Sequence, residues 1–319
     1  MTGLRMRTSP LMRVGLMFAR PRLFGLIAAL AVVLLTDSLS QAGVSRSSVR
    51  YQSPTALSDG LPPINKMMRG RRIVAESILL KDLSTGRTLY EHGSDRRLSP
   101  ASLTKIMTSL VILDYGKLQD LVTVSREAAN AHKIRLRLRT GQVFRLVDLL
   151  KAMLITSAND ACLAAAIHVG GSEERFVVLM NAKAVALGLH NTHFTNACGF
   201  DAADHYTTAR DLAVLSELAL QHPLFRTFVK EEREVISAVN TNRSYLLRTT
   251  NRLLGRMPGV EGVKTGFTSK AGRCLIAKVS QNGKDLLLVL LHASHRWNTA
   301  THLIHYGLRT PQILPAATR

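Results

Sequence analysis

Three short groups of residues in this 319-residue chain could do covalent chemistry together. In Ser102-Leu103-Thr104-Lys105 a hydroxyl and an amine stand three residues apart. On a helix that spacing puts both on one face. A serine hydroxyl is a weak nucleophile at neutral pH and needs a base beside it. Lys105 serves as that base only when neutral, which burial and a second cation nearby would both favour. In Ser157-Ala158-Asn159 a hydroxyl and an amide lie two residues apart, after the apolar helix LVDLLKAMLI. Ser157 could relay a proton to a leaving amine, and Asn159 could hold Lys105 and a substrate peptide bond. The plainer role for this pair is to cap the helix that follows, and the two roles are compatible. Lys264-Thr265-Gly266 falls in a strand-like run. A cation and a hydroxyl on a strand edge can bind a carboxylate, and glycine lets another backbone come close. Each group arises by chance in many chains. Their joint occurrence in the order S-x-x-K, S-x-N, K-T-G points to acyl transfer on Ser102.

The elements that must position these groups follow from pattern. Residues 76–81 and 87–91 read as strands of a hairpin around Ser84-Thr85-Gly86. Ser99-Pro100 reads as an N-cap serine with proline at the first helical position, opening a helix that stops near Gly116. Helical spacing recurs in 147–155, 160–169, 174–187 and 208–220, within a mainly helical stretch to about residue 235. Strand character returns at 261–267, 272–280 and 285–292, the last two flanking Asn282-Gly283, a hairpin signal. An amphipathic helix over about 298–308 closes the pattern. Strands at both ends and helices between predict one antiparallel five-stranded sheet, a central helical lobe, and a cleft between them.

The first residues have the composition of an export signal. Arg5, Arg7, Arg13, Arg20 and Arg22 precede an uncharged, mostly apolar run from Leu23 to Thr36, and Ser40-Gln41-Ala42 offers a small-residue cleavage site. The run is short for a spanning helix, so residues 1–42 read as a cleaved signal in preference to the alternative, an uncleaved N-terminal anchor. Residues 43–72, rich in Ser, Pro, Arg and Gly, read as a flexible leader, 73–310 as the catalytic domain and 311–319 as a tail. An exported protein would work in the periplasm or on the outer face of the cell membrane, where nucleic acid is not an expected partner. The net charge is +20. Residues 1–42 hold five arginines and one aspartate, so the remainder carries +16. That charge suits an anionic wall polymer or lipid as much as plain solubility. Cys162, Cys198 and Cys274 match no zinc or redox spacing and read as buried thiols, Cys162 in a helix and Cys274 in a strand.

With these segments in hand, the chain resembles the D-Ala-D-Ala carboxypeptidase family of low-molecular-mass penicillin-binding proteins. LSPASLTKIMTSLVILD, DLLKAMLITSANDACLAAA, NTHFTNACGFDAADHYTTARDLA and TTNRLLGRMPGVEGVKTGFTSKAGRCLIA all look like family segments. The resemblance implies a serine β-lactamase/D,D-peptidase-like α+β fold and removal of the terminal D-Ala from peptidoglycan stem peptides, with inhibition by β-lactams. It implies Ser102 as acylated nucleophile, Lys105 as its base, and Ser157 and Asn159 in proton transfer and substrate binding. It further implies Lys264, Thr265, Gly266 and Phe267 at the substrate, the backbone N–H groups of Ser102 and Phe267 as oxyanion hole, and no metal or cofactor. His205 and Asp211 in HYTTARDLA would be structural, at a helix capped by Thr207 or Thr208.

The chain departs from the family pattern in three places. It ends soon after His305-Tyr306-Gly307, where many relatives continue into a β-rich domain and an anchoring helix, which leaves the N-terminus as the candidate membrane attachment. Residues 133–139, KIRLRLR, are unusually basic, either one face of an exposed strand or a strip for anionic wall polymer, with a solvated face preferred. Phe267 stands where some relatives carry histidine, which would alter substrate preference. A D,D-endopeptidase that cuts cross-links is the nearest rival, and a catalytically weak, basic wall-binding protein is the rival from another class. A class A β-lactamase lacks support because no E-x-x-L-N follows the second motif, and a zinc peptidase because no H-E-x-x-H occurs.

Overall fold

The computed structural model describes residues 74–311, so the expected signal segment, the whole of the leader and the tail beyond residue 311 lie outside the described residues. The strands β1 (Ala75–Asp82), β2 (Thr88–His92), β7 (Val260–Thr268), β8 (Gly272–Gln281) and β9 (Lys284–Ala293) form one sheet in the order β2-β1-β9-β8-β7. Every pairing is antiparallel. β9 lies at the centre because it can be covered on both sides. Leu286, Leu288 and Leu290 face one apolar cluster with Leu303 and Ile304. Leu287, Val289 and Leu291 face the other cluster, built on the helices. A continuous apolar run is what a strand buried on both faces requires. The β8–β9 turn runs through Asn282 and Gly283 at φ of +52° and +74°, the conformation that Asn-Gly adopts in a two-residue hairpin.

The helices are α1 (Lys105–Tyr115), α2 (Arg126–Ala129), α3 (Leu146–Ile155), α4 (Asn159–Gly170), α5 (Glu173–Ala186), α6 (Ala209–Gln221), α7 (Pro223–Lys230) and α8 (Arg296–Arg309). α1 is buried from Lys105 through Ile112. It is therefore buried all round, and its hydroxyls are bonded inside the lobe: Thr108 donates to the Ala197 carbonyl at 2.5 Å and Ser109 to that of Ile106 at 2.7 Å. α8 covers the opposite face of the sheet. α6 begins as expected, with the Thr208 hydroxyl accepting the Asp211 N–H at 3.0 Å.

Several expectations are corrected. Ser99 does not cap a helix. Its hydroxyl faces Asp201, and a 3-10 turn, Ala101–Thr104, precedes α1. Ala101 sits at φ +50°, so the chain enters this turn by a sharp bend that an ordinary N-cap would not give. The pairs β3 (Leu121–Thr123) with β4 (Val143–Arg145), and β5 (Arg233–Ser237) with β6 (Ser244–Arg248), are not among the expected elements, whereas α7 falls within the stretch read as mainly helical. β5 and β6 bury only Ile236 and Leu247, too little alternation to stand out. Residues 133–139 are not a strand, although Leu136 and Leu138 turn inward and the arginines outward.

The cysteine reading is corrected as well. Cys162 of α4 is bonded to Cys198, 36 residues on, with Cα atoms 6.0 Å apart. Only Cys274 remains a buried thiol, and burial pushes its pKa up to about 11. An odd count with wide spacing carried no pairing signal. Closing a loop of this length stabilises the fold by roughly 3–4 kcal/mol. We expect the Cys162→Ala/Cys198→Ala double variant to lose about that much in urea unfolding, and wild type to show one titratable thiol when denatured without reductant. Three thiols under those conditions would rule the bridge out.

Candidate active site

The site forms where the 3-10 turn and α1, the start of α4 and the edge strand β7 converge. Two close approaches make this possible. A Cβ at Gly199 would lie 2.0 Å from the Ala101 carbonyl oxygen, so the loop carrying Cys198 can press on the turn that holds Ser102 only with glycine there. A Cβ at Gly266 would stand 3.0 Å from the Pro100 carbonyl and 3.2 Å from the Ser102 nitrogen. Lys264-Thr265-Gly266 therefore runs directly beside the nucleophile's backbone.

Lys105 is the centre of the arrangement. Its Nζ lies 3.2 Å from Ser102 Oγ, 2.7 Å from Asn159 Oδ1 and 2.5 Å from the carbonyl of Cys198. The side chain is fully buried. Burial, and then the charge of Lys264, push its pKa well below the ordinary lysine value, while Asp160 opposes the shift. Lys264, also buried, donates to the Thr265 carbonyl at 3.1 Å and is lowered to about 7 by burial and by Arg296. The Thr265 hydroxyl shares a hydrogen bond with Thr250 at 2.6 Å.

Ser157 adopts φ +64°, a bend between α3 and α4. Its Oγ is buried and has no hydrogen-bond partner. An orphaned buried hydroxyl costs stability, and a site that needs it later is one reason to keep it. Asn159 opens α4 but does not cap it. Ala158 is the N-cap, and the Asn159 amide instead bridges Lys105 and the His132 carbonyl, the latter at 2.7 Å. Phe267 projects outward, 56% exposed, with the Arg273 guanidinium 5.9 Å from its ring centre.

The structure thus brings Ser102, Lys105, Ser157, Asn159, Lys264, Thr265 and Gly266 into one region, with Phe267 on its rim. Four supporting groups escaped the sequence reading. Asn196 Oδ1 accepts the N–H groups of Gly199 and Phe200 at 2.8 and 2.9 Å, fixing the loop that aims the Cys198 carbonyl at Lys105. The Asp160 carboxylate accepts the N–H groups of Leu136 and Leu138 at 3.2 and 3.0 Å, which ties the basic loop to α4. Arg296 donates to the carbonyls of Gly266 and Cys274 at 2.7 and 3.0 Å, which locks β7 to β8 from behind. Thr104 links His205 to the nucleophile turn. The Thr195 N–H donates to His205 Nδ1 at 3.1 Å, so Nε2 carries the proton and donates to Thr104 Oγ1 at 2.8 Å, which in turn donates to the Ala101 carbonyl. Burial lowers the pKa of His205 to about 4, so this ring stays neutral at physiological pH. His205 is therefore a strut, as HYTTARDLA suggested. No group of three or more His, Cys, Asp or Glu side chains suited to a metal occurs among the described residues.

Comparison with known proteins agrees with this geometry. The family described as D-alanyl-D-alanine carboxypeptidase, peptidase S11, matches residues 64–295. The chain is similar to the D-alanyl-D-alanine carboxypeptidase DacF of Bacillus subtilis, 39% identical over 225 residues, covering 69% of this chain and 58% of DacF. It thus spans about three fifths of that relative's length. It is 31% identical over 273 residues to a D-alanyl-D-alanine endopeptidase of Pseudomonas aeruginosa, covering 83% of this chain and 87% of that protein. Among solved structures it resembles the DD-transpeptidase of Streptomyces K15, with a TM-score of 0.70 and 30% identity over 75% of this chain and 99% of that one. A match across most of the chain, together with this fold, places the protein in the D-alanyl-D-alanine carboxypeptidase family.

Proposed function

We propose that the chain is a serine D,D-peptidase that releases the terminal D-Ala from peptidoglycan stem peptides through an acyl-enzyme on Ser102. The observation that carries this reading is the buried Lys105 amine 3.2 Å from Ser102 Oγ, its pKa depressed by burial and by Lys264. A neutral amine in that position takes the hydroxyl proton as the oxygen attacks. The substrate's terminal carboxylate docks on Lys264 and Thr265, and the backbone N–H groups of Ser102 and Phe267 receive the developing oxyanion. Ser157, with its unpartnered hydroxyl, passes the proton to the leaving D-Ala nitrogen. Water then hydrolyses the ester. A β-lactam imitates the dipeptide and acylates the same serine.

We further propose that the protein works outside the cytoplasm. The Cys162–Cys198 bridge supports this, because such bonds persist in oxidising compartments. The apolar run from Leu23 to Thr36, preceded by five arginines, supports it independently, and it also supplies a means of membrane association through the N-terminus. No helix among the described residues is long and apolar enough to cross a membrane. The similarity to an endopeptidase over 87% of its length favours a second reading, in which the same acyl chemistry opens cross-links.

Incubation with penicillin should leave a stable mass adduct on the peptide containing Ser102, absent from Ser102→Ala. No adduct and no β-lactam turnover with wild type would leave a wall-binding protein as the better account. The pH profile of kcat/KM on a D-Ala-D-Ala peptide should be bell-shaped. Its rising limb reports loss of the Lys105 proton, so it lies far below 10.5. Its falling limb reports loss of the Lys264 charge that binds the carboxylate, near pH 7. Lys264→Arg keeps the cation and should move the falling limb to higher pH. A rising limb in the ordinary lysine range would remove Lys105 as the base. Lys105→Gln should lower the acylation rate by about 10²–10⁴-fold, the usual worth of a positioned general base.

A further inference from the structure

Beside the carboxylate-binding end of β7 lies a cleft of about 630 Å³, with Thr250, Arg252, Arg273, His295, Arg296 and Trp297 among its walls. Two of its wall residues are bonded to the strand that carries the candidate active site. The Thr250 hydroxyl is bonded to that of Thr265, and Arg296 is bonded to the carbonyl of Gly266. Its volume is that of a pocket for a sizeable ligand, more than a lone alanine fills.

The charged side chains that line the cleft are all basic, and no acid stands among its walls. Some basic side chains of this molecule are met by acids, as Lys81 is by Glu217, Arg210 by Asp95 and Lys230 by Glu261. Among the described residues no carboxylate forms an ion pair with Arg252, Arg273 or Arg296. The three guanidiniums are near enough to feel one another. After burial, the charges of Arg273 and Arg252 both oppose ionisation of Arg296. Arg296 is held from inside by two carbonyls and lies over Trp297, its guanidinium 4.5 Å from the ring centre. Arg252 and Arg273 are exposed at the mouth. Guanidinium forks pair best with carboxylates, two parallel hydrogen bonds at a time.

We propose that this cleft is a leaving-group subsite in which Arg252 and Arg273 bind a second carboxylate, beyond the one held at Lys264 and Thr265. The inference rests on the D,D-peptidase reading and sharpens its substrate. The bond cut best is one whose amine side carries more than a single D-alanine: a residue with its own carboxylate next to the scissile nitrogen and a further acidic group behind it. The acceptor half of a cross-linked wall peptide, a diamino acid still joined to an acidic peptide, has that chemistry.

The test uses the full chain and three acyl-peptides that differ only in the residue released: D-Ala, D-Glu and the uncharged isostere D-Gln. Wild type should release D-Glu with a kcat/KM about tenfold above D-Gln, a preference that high salt reduces. The Arg252→Gln/Arg273→Gln double variant should lose that preference while its kcat/KM for D-Ala release stays within about twofold, the two arginines lying at the exposed mouth. Equal rates for D-Glu and D-Gln in wild type would overturn the assignment, and so would a preference that survives in the double variant. Acylation of Ser102 by penicillin is followed in parallel. Acylation without a D-Glu preference overturns the subsite alone, whereas no acylation in wild type overturns the peptidase reading and the subsite with it.

Discussion

A lysine amine kept out of water is the constraint on which the rest of this structure depends. Burying an ammonium without an acid beside it is costly, and the molecule meets the cost by favouring the neutral form. No carboxylate is hydrogen-bonded to Lys105. Its neighbours are a serine hydroxyl, an amide oxygen and a backbone carbonyl. Those acceptors satisfy the amine's protons without strongly favouring its charge. Asp160 is the nearby acid that raises the pKa, and its oxygens are occupied by the backbone N–H groups of Leu136, Leu138 and Ala161. Its charge thus serves the loop as well as acting on Lys105.

Keeping that amine dry explains why such distant segments must meet. α1 is sealed on all sides through Ile112, so Lys105 enters the lobe where solvent cannot follow. The Cys198 loop closes one side, held by the bridge to α4, by the Asn196 turn and by the glycine contact at Ala101. β7 closes another, as near as a glycine allows. Each of these devices acts on backbone position. An acyl-transfer site needs its parts held within a fraction of an ångström, and backbone locked by packing achieves this better than flexible side chains do.

The parts of this arrangement legible in the sequence are those with a local signature. Ser102 to Lys105 share a face because helical spacing dictates it, and β9 reads as a strand because six of its residues in a row are apolar, Leu286 to Leu291. Asn282-Gly283 names its own turn. The Cys162–Cys198 bridge was not legible, since partners far apart in sequence meet only through the tertiary fold. The entry to α1 was misread for the opposite reason. Ser99-Pro100 is a good local helix start, but Ala101 is bent to φ +50° by its packing against Gly199 and Gly266, and tertiary contact overrode local preference. β5 and β6 were invisible because a half-exposed ribbon buries one side chain per strand.

The cations behind the nucleophile form a graded series. Arg296 on α8, across the sheet from the helical lobe, is bonded to the Gly266 carbonyl and depresses the pKa of Lys264, and Lys264 in turn depresses that of Lys105. Arg296 is part-exposed and a guanidinium is hard to deprotonate, so it keeps its charge. Lys264 is held near neutrality, at about 7, and Lys105, equally buried, well below the ordinary lysine value. Helix α8 therefore supports the site through Arg296, by its hydrogen bonds to β7 and β8 and by its charge on Lys264. The same positive field draws a substrate carboxylate toward Lys264 and Thr265, and a bound carboxylate offsets part of the repulsion that lowers the lysine pKa values. Docking and base strength are thereby coupled. The free site favours a neutral Lys105, and an anionic ligand draws the protonation of both lysines upward.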